Sequence, residues 1–200
     1  MRTGLFGGSF NPIHKGHTAL GETVMDKLSL DRIIFIPSGH PPHKSDSEYA
    51  PPQDRLEMCR LATEYNDRFF VSSFETEREG KSYSIYTVEH FRQLYPHDEL
   101  FLLVGSDMLL TFDKWYRYED ILKQVTLTAV TRTGEDKKQL AETAQRLGTL
   151  GKIIVAEHQP LILSSTNLRK MIKSNEDLSC YLEKKVVKYI MARNLYGEKK

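Results

Sequence analysis

Gly7-Gly8-Ser9-Phe10-Asn11-Pro12-Ile13-His14-Lys15-Gly16-His17 sets two glycines, a hydroxyl and two imidazoles between a short apolar run and a segment of helical period. That mix suits an anion. Glycines at 7 and 8 admit positive φ and close approach, so successive N–H groups can point at a phosphate where the dipole of the following helix also favours negative charge. His14 and His17 add donors that can also move protons. The stretch has neither the Gly-Lys-Ser/Thr ending of a Walker loop nor the Gly-x-Gly-x-x-Gly spacing of a dinucleotide fingerprint, so neither mechanism transfers. A glycine-rich connector with incidental histidines is the plain alternative. A metal pair at His14 and His17 is another, but zinc needs a third protein ligand and no His, Cys or Glu cluster elsewhere offers one by spacing. Phosphate binding is the reading adopted, with Gly7, Gly8, Ser9 and Phe10 lining the turn.

A second constellation is Ser164-Ser165-Thr166-Asn167-Leu168-Arg169, where hydroxyls crowd a helix start ahead of the stripe Leu168, Met171, Ile172. One hydroxyl can cap the helix while its neighbours bind an anion and Arg169 adds a guanidinium; plain capping is the competing reading. Trp115, the only tryptophan, lies among Lys114, Tyr116, Arg117 and Tyr118, a setting that equally fits a stacking surface or partial burial. Asp107 follows Gly105-Ser106 and can either accept from ribose hydroxyls or cap a helix. Arg132 ends an apolar run and is either a bidentate phosphate donor or a surface arginine. Five of the eight prolines fall between Pro37 and Pro52, a long stiffened excursion in which Pro41 and Pro42 precede His43 and Lys44. Lys44 there is a phosphate contact or a solvated basic tip.

Taken with Pro41-Pro42-His43-Lys44, Glu77-Arg78-Glu79-Gly80-Lys81-Ser82-Tyr83, Gly105-Ser106-Asp107, Trp115-Tyr116 and Ser164 to Arg169, the chain resembles the nucleotidyltransferases with a His-x-Gly-His signature. Among these it is most similar to the bacterial nicotinate-nucleotide adenylyltransferase family, whose landmarks it carries in order from end to end. Asn11 departs from the pattern, since many relatives carry aspartate there, which puts any role needing a carboxylate in doubt. The resemblance implies that His14 and His17 are catalytic and that Gly7, Gly8, Ser9, Phe10, His17, Gly105 and Asp107 contact ATP. By the same likeness Ser164, Ser165, Thr166 and Arg169 hold its distal phosphates. It further implies that Trp115 stacks on the pyridine ring of a mononucleotide, that Tyr116 and Thr87 help to place its carboxylate, and that Lys44 is a phosphate contact; Arg132 is added to the substrate-binding residues on its place at the end of the Leu127 to Thr131 run.

The reaction so implied is in-line attack by a mononucleotide 5′-phosphate on the α-phosphorus of ATP, with magnesium accompanying ATP as cofactor. A phosphate nucleophile is largely ionised at neutral pH because its second pKa lies near ~6, so no catalytic base is needed. What remains is alignment of two polyanions and stabilisation of charge around phosphorus. Another adenylyltransferase, such as one acting on phosphopantetheine, and a noncatalytic nucleotide-binding regulator are the alternatives. Whether nicotinate or nicotinamide mononucleotide is preferred is left open.

Positioning these groups requires a framework, and short apolar runs alternating with helical periods predict an α/β fold: a Rossmann-like, doubly wound parallel sheet with helices on both faces. Strands are expected at Thr3 to Phe6, Ile33 to Ile36, Phe69 to Ser73, Leu100 to Val104, Leu127 to Thr131 and Ile153 to Val155. Helices are expected after His17, with Leu20, Val24 and Leu28 on one stripe, and near 53–65, 84–95, 118–124 and 136–147. Ligands collect at the carboxyl ends of strands in such sheets, where Gly7, Gly105, Arg132 and the loop after Ile36 emerge. With 200 residues and 40% hydrophobic content, the chain is expected to form one domain, with a helical segment at about 164–196 packed on it. A net charge of +1 gives no field for gripping nucleic acid, so no nucleic-acid partner is expected. The apolar runs are too short for a signal peptide or a membrane span, which points to the cytoplasm. Cys59 and Cys180 are read as reduced and structural. Assembly is left open, a homo-oligomer included.

Overall fold

The computed structural model describes residues 1–40, 49–131, 137–157 and 164–197. Six strands, β1 (Arg2–Gly8), β2 (Arg32–Pro37), β3 (Phe69–Val71), β4 (Glu99–Gly105), β5 (Thr126–Thr131) and β6 (Ile153–Glu157), form one sheet in the order β3-β2-β1-β4-β5-β6. Every pairing is parallel. The helices are α1 (Lys15–Lys27), α2 (Pro52–Thr63), α3 (Phe74–Glu77), α4 (Ser84–Leu94), α5 (Ser106–Leu110), α6 (Tyr118–Leu122), α7 (Lys137–Leu147), α8 (Ser165–Lys173) and α9 (Lys184–Ala192). Strand order reverses between β1 and β4, and the crevice outside their carboxyl ends is where such a sheet receives a ligand. Gly7 and Gly105 both lie there.

The period of two in each strand divides the core. Phe6, Ile33, Phe35, Phe101, Leu103 and Val130 face one side, where side chains of α1, α2, α8 and α9 cover them. Leu5, Ile34, Ile36, Leu102, Val104, Leu127 and Ala129 face the other, against α4, α5, α6 and α7. Burial on both faces explains why these strands read as continuous apolar runs rather than alternating ones. Helix α1 approaches the sheet closely at Gly21, where a Cβ would stand 3.3 Å from both Phe35 and Phe69.

All six expected strands form, most of them a residue or two longer than the apolar runs. The exception is β3, expected to reach Ser73 but ending at Val71 on the sheet edge, where α3 follows. Three helices end in a six-to-one turn on a non-glycine residue, among them Ser29 (φ 49) after α1, with Leu30 N–H donating to Met25 O, and Asn175 (φ 53) after α8, with Glu176 N–H donating to Met171 O. Asn194 (φ 48) does the same after α9, with Leu195 N–H on Ile190 O. Cys59 is a buried free thiol as expected, but Cys180 is free and exposed, so the structural reading holds for Cys59 alone. Among the described residues no helix is long and apolar enough to cross a membrane.

Candidate active site

The turn leaving β1 is shaped by Phe10 rather than by its glycines. Gly7 and Gly8 are the last residues of β1, in register with Ile36 and Pro37, and neither uses the positive φ that a glycine admits. Phe10 does, at φ 45. A left-handed residue with a side chain costs about 1–2 kcal/mol, but burying a phenyl ring returns about 1.5–3 kcal/mol, so packing decides the conformation. The ring lies edge-on to Phe6 at 5.5 Å and tilted against Phe35 at 5.9 Å. A Cβ at Gly8 would meet it at 2.9 Å, whereas one at Gly7 would meet nothing within 4 Å. Gly8 therefore admits Phe10, and Gly7 leaves the strand end open to a ligand.

Three carbonyls of the turn are drawn into the protein. Arg55 Nη1 donates to Ser9 O at 2.8 Å, Arg169 Nη1 to Asn11 O at 3.0 Å and the Ser165 hydroxyl to Pro12 O at 3.1 Å. In a planar trans peptide the next N–H points opposite to the carbonyl, so the amides of Phe10 and Ile13 are turned away from these donors. Arg55, only 1% exposed, also donates to Ala50 O and Gly39 O, joining the turn to both flanks of the segment after β2. Burial lowers its pKa, against the pull of Tyr196, Cys59, Tyr49 and Glu75.

His14 is the extended N-cap residue of α1 and His17 lies three positions on. Their rings stack at 3.7 Å and 29°, and Phe10 meets His17 edge-on at 5.1 Å. The N–H of His14 donates to His17 Nδ1 at 3.2 Å. That bond assigns the neutral tautomer of His17, with its proton on Nε2 as a donor. His14 is buried and His17 half-buried. The first turn of α1 contains no acidic residue, and the Lys15 ammonium turns away from it to Ser179 O at 2.9 Å.

The two expected anion cradles are one assembly, because α8 begins against this turn. Ser164 is the N-cap, accepting from Asn167 N–H at 3.2 Å. Ser165 and Arg169 hold the turn as described, Arg169 also reaches the Thr166 hydroxyl at 3.4 Å, and Thr166 is exposed. Asn11 answers the question its side chain raised. Its Oδ1 accepts from Ala50 N–H at 3.0 Å and from the Tyr196 hydroxyl at 2.8 Å, so the position needs an acceptor oxygen rather than a charge.

At the end of β4, Gly105 is the N-cap of α5, which excludes that capping role for Asp107; its carboxylate is exposed in the first turn. Trp115 is half-buried on Phe112 at 4.8 Å, and Tyr116, 50% exposed, rests on Tyr83 at 4.9 Å. Thr87 is 3% exposed and its hydroxyl donates to Glu75 Oε1 at 2.5 Å. Burial raises the pKa of Glu75, against hydrogen bonds from Thr87 and Ser82 and the charges of Arg78 and Arg55. The Ser82 hydroxyl in turn accepts from the N–H groups of Gly39 and His40. Lys44 and Arg132 lie outside the described residues. Sequence reasoning missed Arg55, Glu75 and Tyr196; a charged residue inside the apolar pattern Leu56, Cys59, Ala62 was the one signal available.

Among the described residues no group of three His, Cys, Asp or Glu side chains stands close enough to hold a metal ion. A cavity of about 360 Å³ lined by Arg92, Leu100, Gln124 and Gly151 lies at the amino ends of β4 and β5, away from these groups.

A parallel sheet with reversed strand order, a histidine-bearing turn at the switch point and a second helix start docked on it define a nucleotide-binding α/β protein of the nucleotidyltransferase type. The family model described as cytidylyltransferase-like matches residues 5–171. The curated "Probable nicotinate-nucleotide adenylyltransferase" of Carboxydothermus hydrogenoformans is 39% identical over 197 residues, covering 98% of both chains. The protein of the same name from Moorella thermoacetica is 37% identical, covering 98% of this chain and 91% of its own. In fold the chain is similar to Plasmodium falciparum nicotinic acid mononucleotide adenylyltransferase complexed with NaAD, with a TM-score of 0.74 at 20% identity, covering 98% of this chain and 97% of that one. The chain belongs to the cytidylyltransferase-like family and, within it, to the nicotinate-nucleotide adenylyltransferases.

Proposed function

We propose that this protein transfers the adenylyl group of ATP to nicotinate mononucleotide, giving the dinucleotide and pyrophosphate, a step of NAD biosynthesis. The observation that carries the reading is the docking of Ser165 and Arg169 onto the turn that bears His14 and His17. It gathers hydroxyls, a guanidinium and imidazole donors at one strand end, as a triphosphate with its reacting α-phosphorus requires. In this reading His17 offers its Nε2 hydrogen to an α-phosphate oxygen, and His14 is stacked beside it. Gly7, Gly8, Ser9 and Phe10 line the path of the triphosphate, Gly105 and Asp107 take the ribose side, and Thr166 and Arg169 reach the distal phosphates. Trp115 and Tyr116 receive the pyridine ring, with Lys44 and Arg132 assigned to substrate phosphates.

The attacking phosphate needs no base, so the protein's work is alignment and charge stabilisation. A divalent cation, which we assign as magnesium, would be held mainly through the substrate phosphates and its own waters, the described residues offering no three-ligand cluster. It would supply neutralisation of the phosphate oxygens. A coupled pyrophosphate assay with ATP and, in turn, nicotinate mononucleotide, its amide and phosphopantetheine tests the reading. Turnover with the nicotinate form above the other two is expected; preference for phosphopantetheine, or ATP binding with no pyrophosphate from any acceptor, would overturn it.

A further inference from the structure

Tyr196 lies 185 residues from Asn11 in sequence, yet its hydroxyl donates to Asn11 Oδ1 at 2.8 Å. The path that brings it there is well determined. Helix α9 is moored to α2 by the Tyr189 hydroxyl and Arg193 Nε, both donating to the buried Asp54 Oδ1, at 2.7 and 3.2 Å. The left-handed Asn194 then closes the helix, and Tyr196, itself at φ 65, turns its ring inward onto the core between α1, α2, α8 and α9. We propose that Tyr196 is a positioning residue of the adenylyl-transfer site, acting through Asn11 to fix the turn that carries His14 and His17; this rests on the function proposed above.

The geometry at Asn11 supports it. The residue is 2% exposed and its carbonyl-type Oδ1 receives two donors, Tyr196 O–H and Ala50 N–H, which fill both lone pairs and leave the side chain one orientation. Its own main-chain oxygen is taken by Arg169, so side chain and backbone are both tied to the carboxy-terminal segment. Asn11 stands three residues before His14. Burial pushes the Tyr196 hydroxyl well above the usual phenol range, so it stays a proton donor throughout the pH range in which the enzyme works. Small displacements of such a turn are costly because aligned donors lose most of their value when the reacting atoms move.

Tyr196→Phe removes the donor and keeps the ring, and its kinetics with ATP and nicotinate mononucleotide form the test. We expect kcat lower by about tenfold, KM for both substrates within about twofold and an unfolding midpoint close to that of the parent, the pattern of one lost orienting hydrogen bond. On an Asn11→Ala background Tyr196→Phe should cost nothing further, because its partner is gone. On an Asn11→Asp background, which keeps the acceptor oxygen, the loss should return; this variant carries the test if Asn11→Ala does not fold. Parental kcat in Tyr196→Phe, or a loss repeated in full on Asn11→Ala, would overturn the assignment. A parent chain inactive with every acceptor would remove the functional reading itself, and the positioning role with it.

Discussion

His17 is held as a hydrogen-bond donor by a bond from its own helix start, and its chemistry follows from that. With Nδ1 occupied by the His14 amide, the ring can offer Nε2–H to a phosphate oxygen without first acquiring charge. His17→Ala should lower kcat by about 10²-fold or more while circular dichroism shows a native fold, by analogy with loss of a single oxyanion donor. Turnover at the parental rate would take His17 out of the mechanism. Trp115→Ala should weaken binding of nicotinate mononucleotide, measured by calorimetry, and leave ATP affinity within about twofold, since stacking on one aromatic face is worth about 0.5–1.5 kcal/mol beyond burial. Selective loss of ATP affinity would reverse that assignment. At this scale the sequence displayed the groups proposed to meet ligand, because hydroxyls, imidazoles and a lone indole cluster in short motifs. It hid those that act from behind. Arg55 reads as one more charge on an amphipathic helix, and only the fold reveals that its guanidinium serves three carbonyls.

The elements were legible for a different reason. Strands buried on both faces announce themselves as apolar runs, and each of the six was found within a few residues of its ends. Boundaries at the sheet edge were less visible, as β3 shows, because a strand with one neighbour stops where the chain finds another way to satisfy its amides. Glycines 7 and 8 taught the same lesson: the residue type permitted left-handed backbone, but the sheet register claimed both, and Phe10 took the strained position through packing. Helix α8 is the element whose placement matters most to the site, since it presents Ser165 and Arg169 to the turn. Ser164 caps it by accepting from Asn167 N–H. Ser164→Ala should destabilise the protein by about 1 kcal/mol in urea unfolding and loosen that helix start. A variant as stable as the parent would show that packing of Leu168 and Ile172 alone fixes α8.

For the whole molecule, the buried carboxyl of Glu75 links folding to pH. Burial raises its pKa above the 4.5 of an exposed glutamate, so between that value and the folded one the native state holds a proton the unfolded chain has released. Its stabilisation is therefore complete at acid pH and is lost as pH rises through the folded pKa. Glu75→Gln should flatten the decline of the unfolding midpoint with pH above about 4.5. A variant whose midpoint falls as steeply as the parent's would place the pH dependence elsewhere. The doubly wound order was legible from alternation of strands and helices, whereas the convergence of α2, α8 and the segment after α9 on one turn was not, since it depends on contacts 46, 158 and 185 positions apart.

Ser29 and Asn175 close their helices in a backbone region where a side chain is unfavourable, and both are exposed and clear of the phosphate turn. The molecule thus carries an untapped reserve against heat: glycine at either position would ease the strain without moving any group proposed to meet a nucleotide. A hardier form of this enzyme is open to engineers through the hinges of its scaffold, with its chemistry left as it stands.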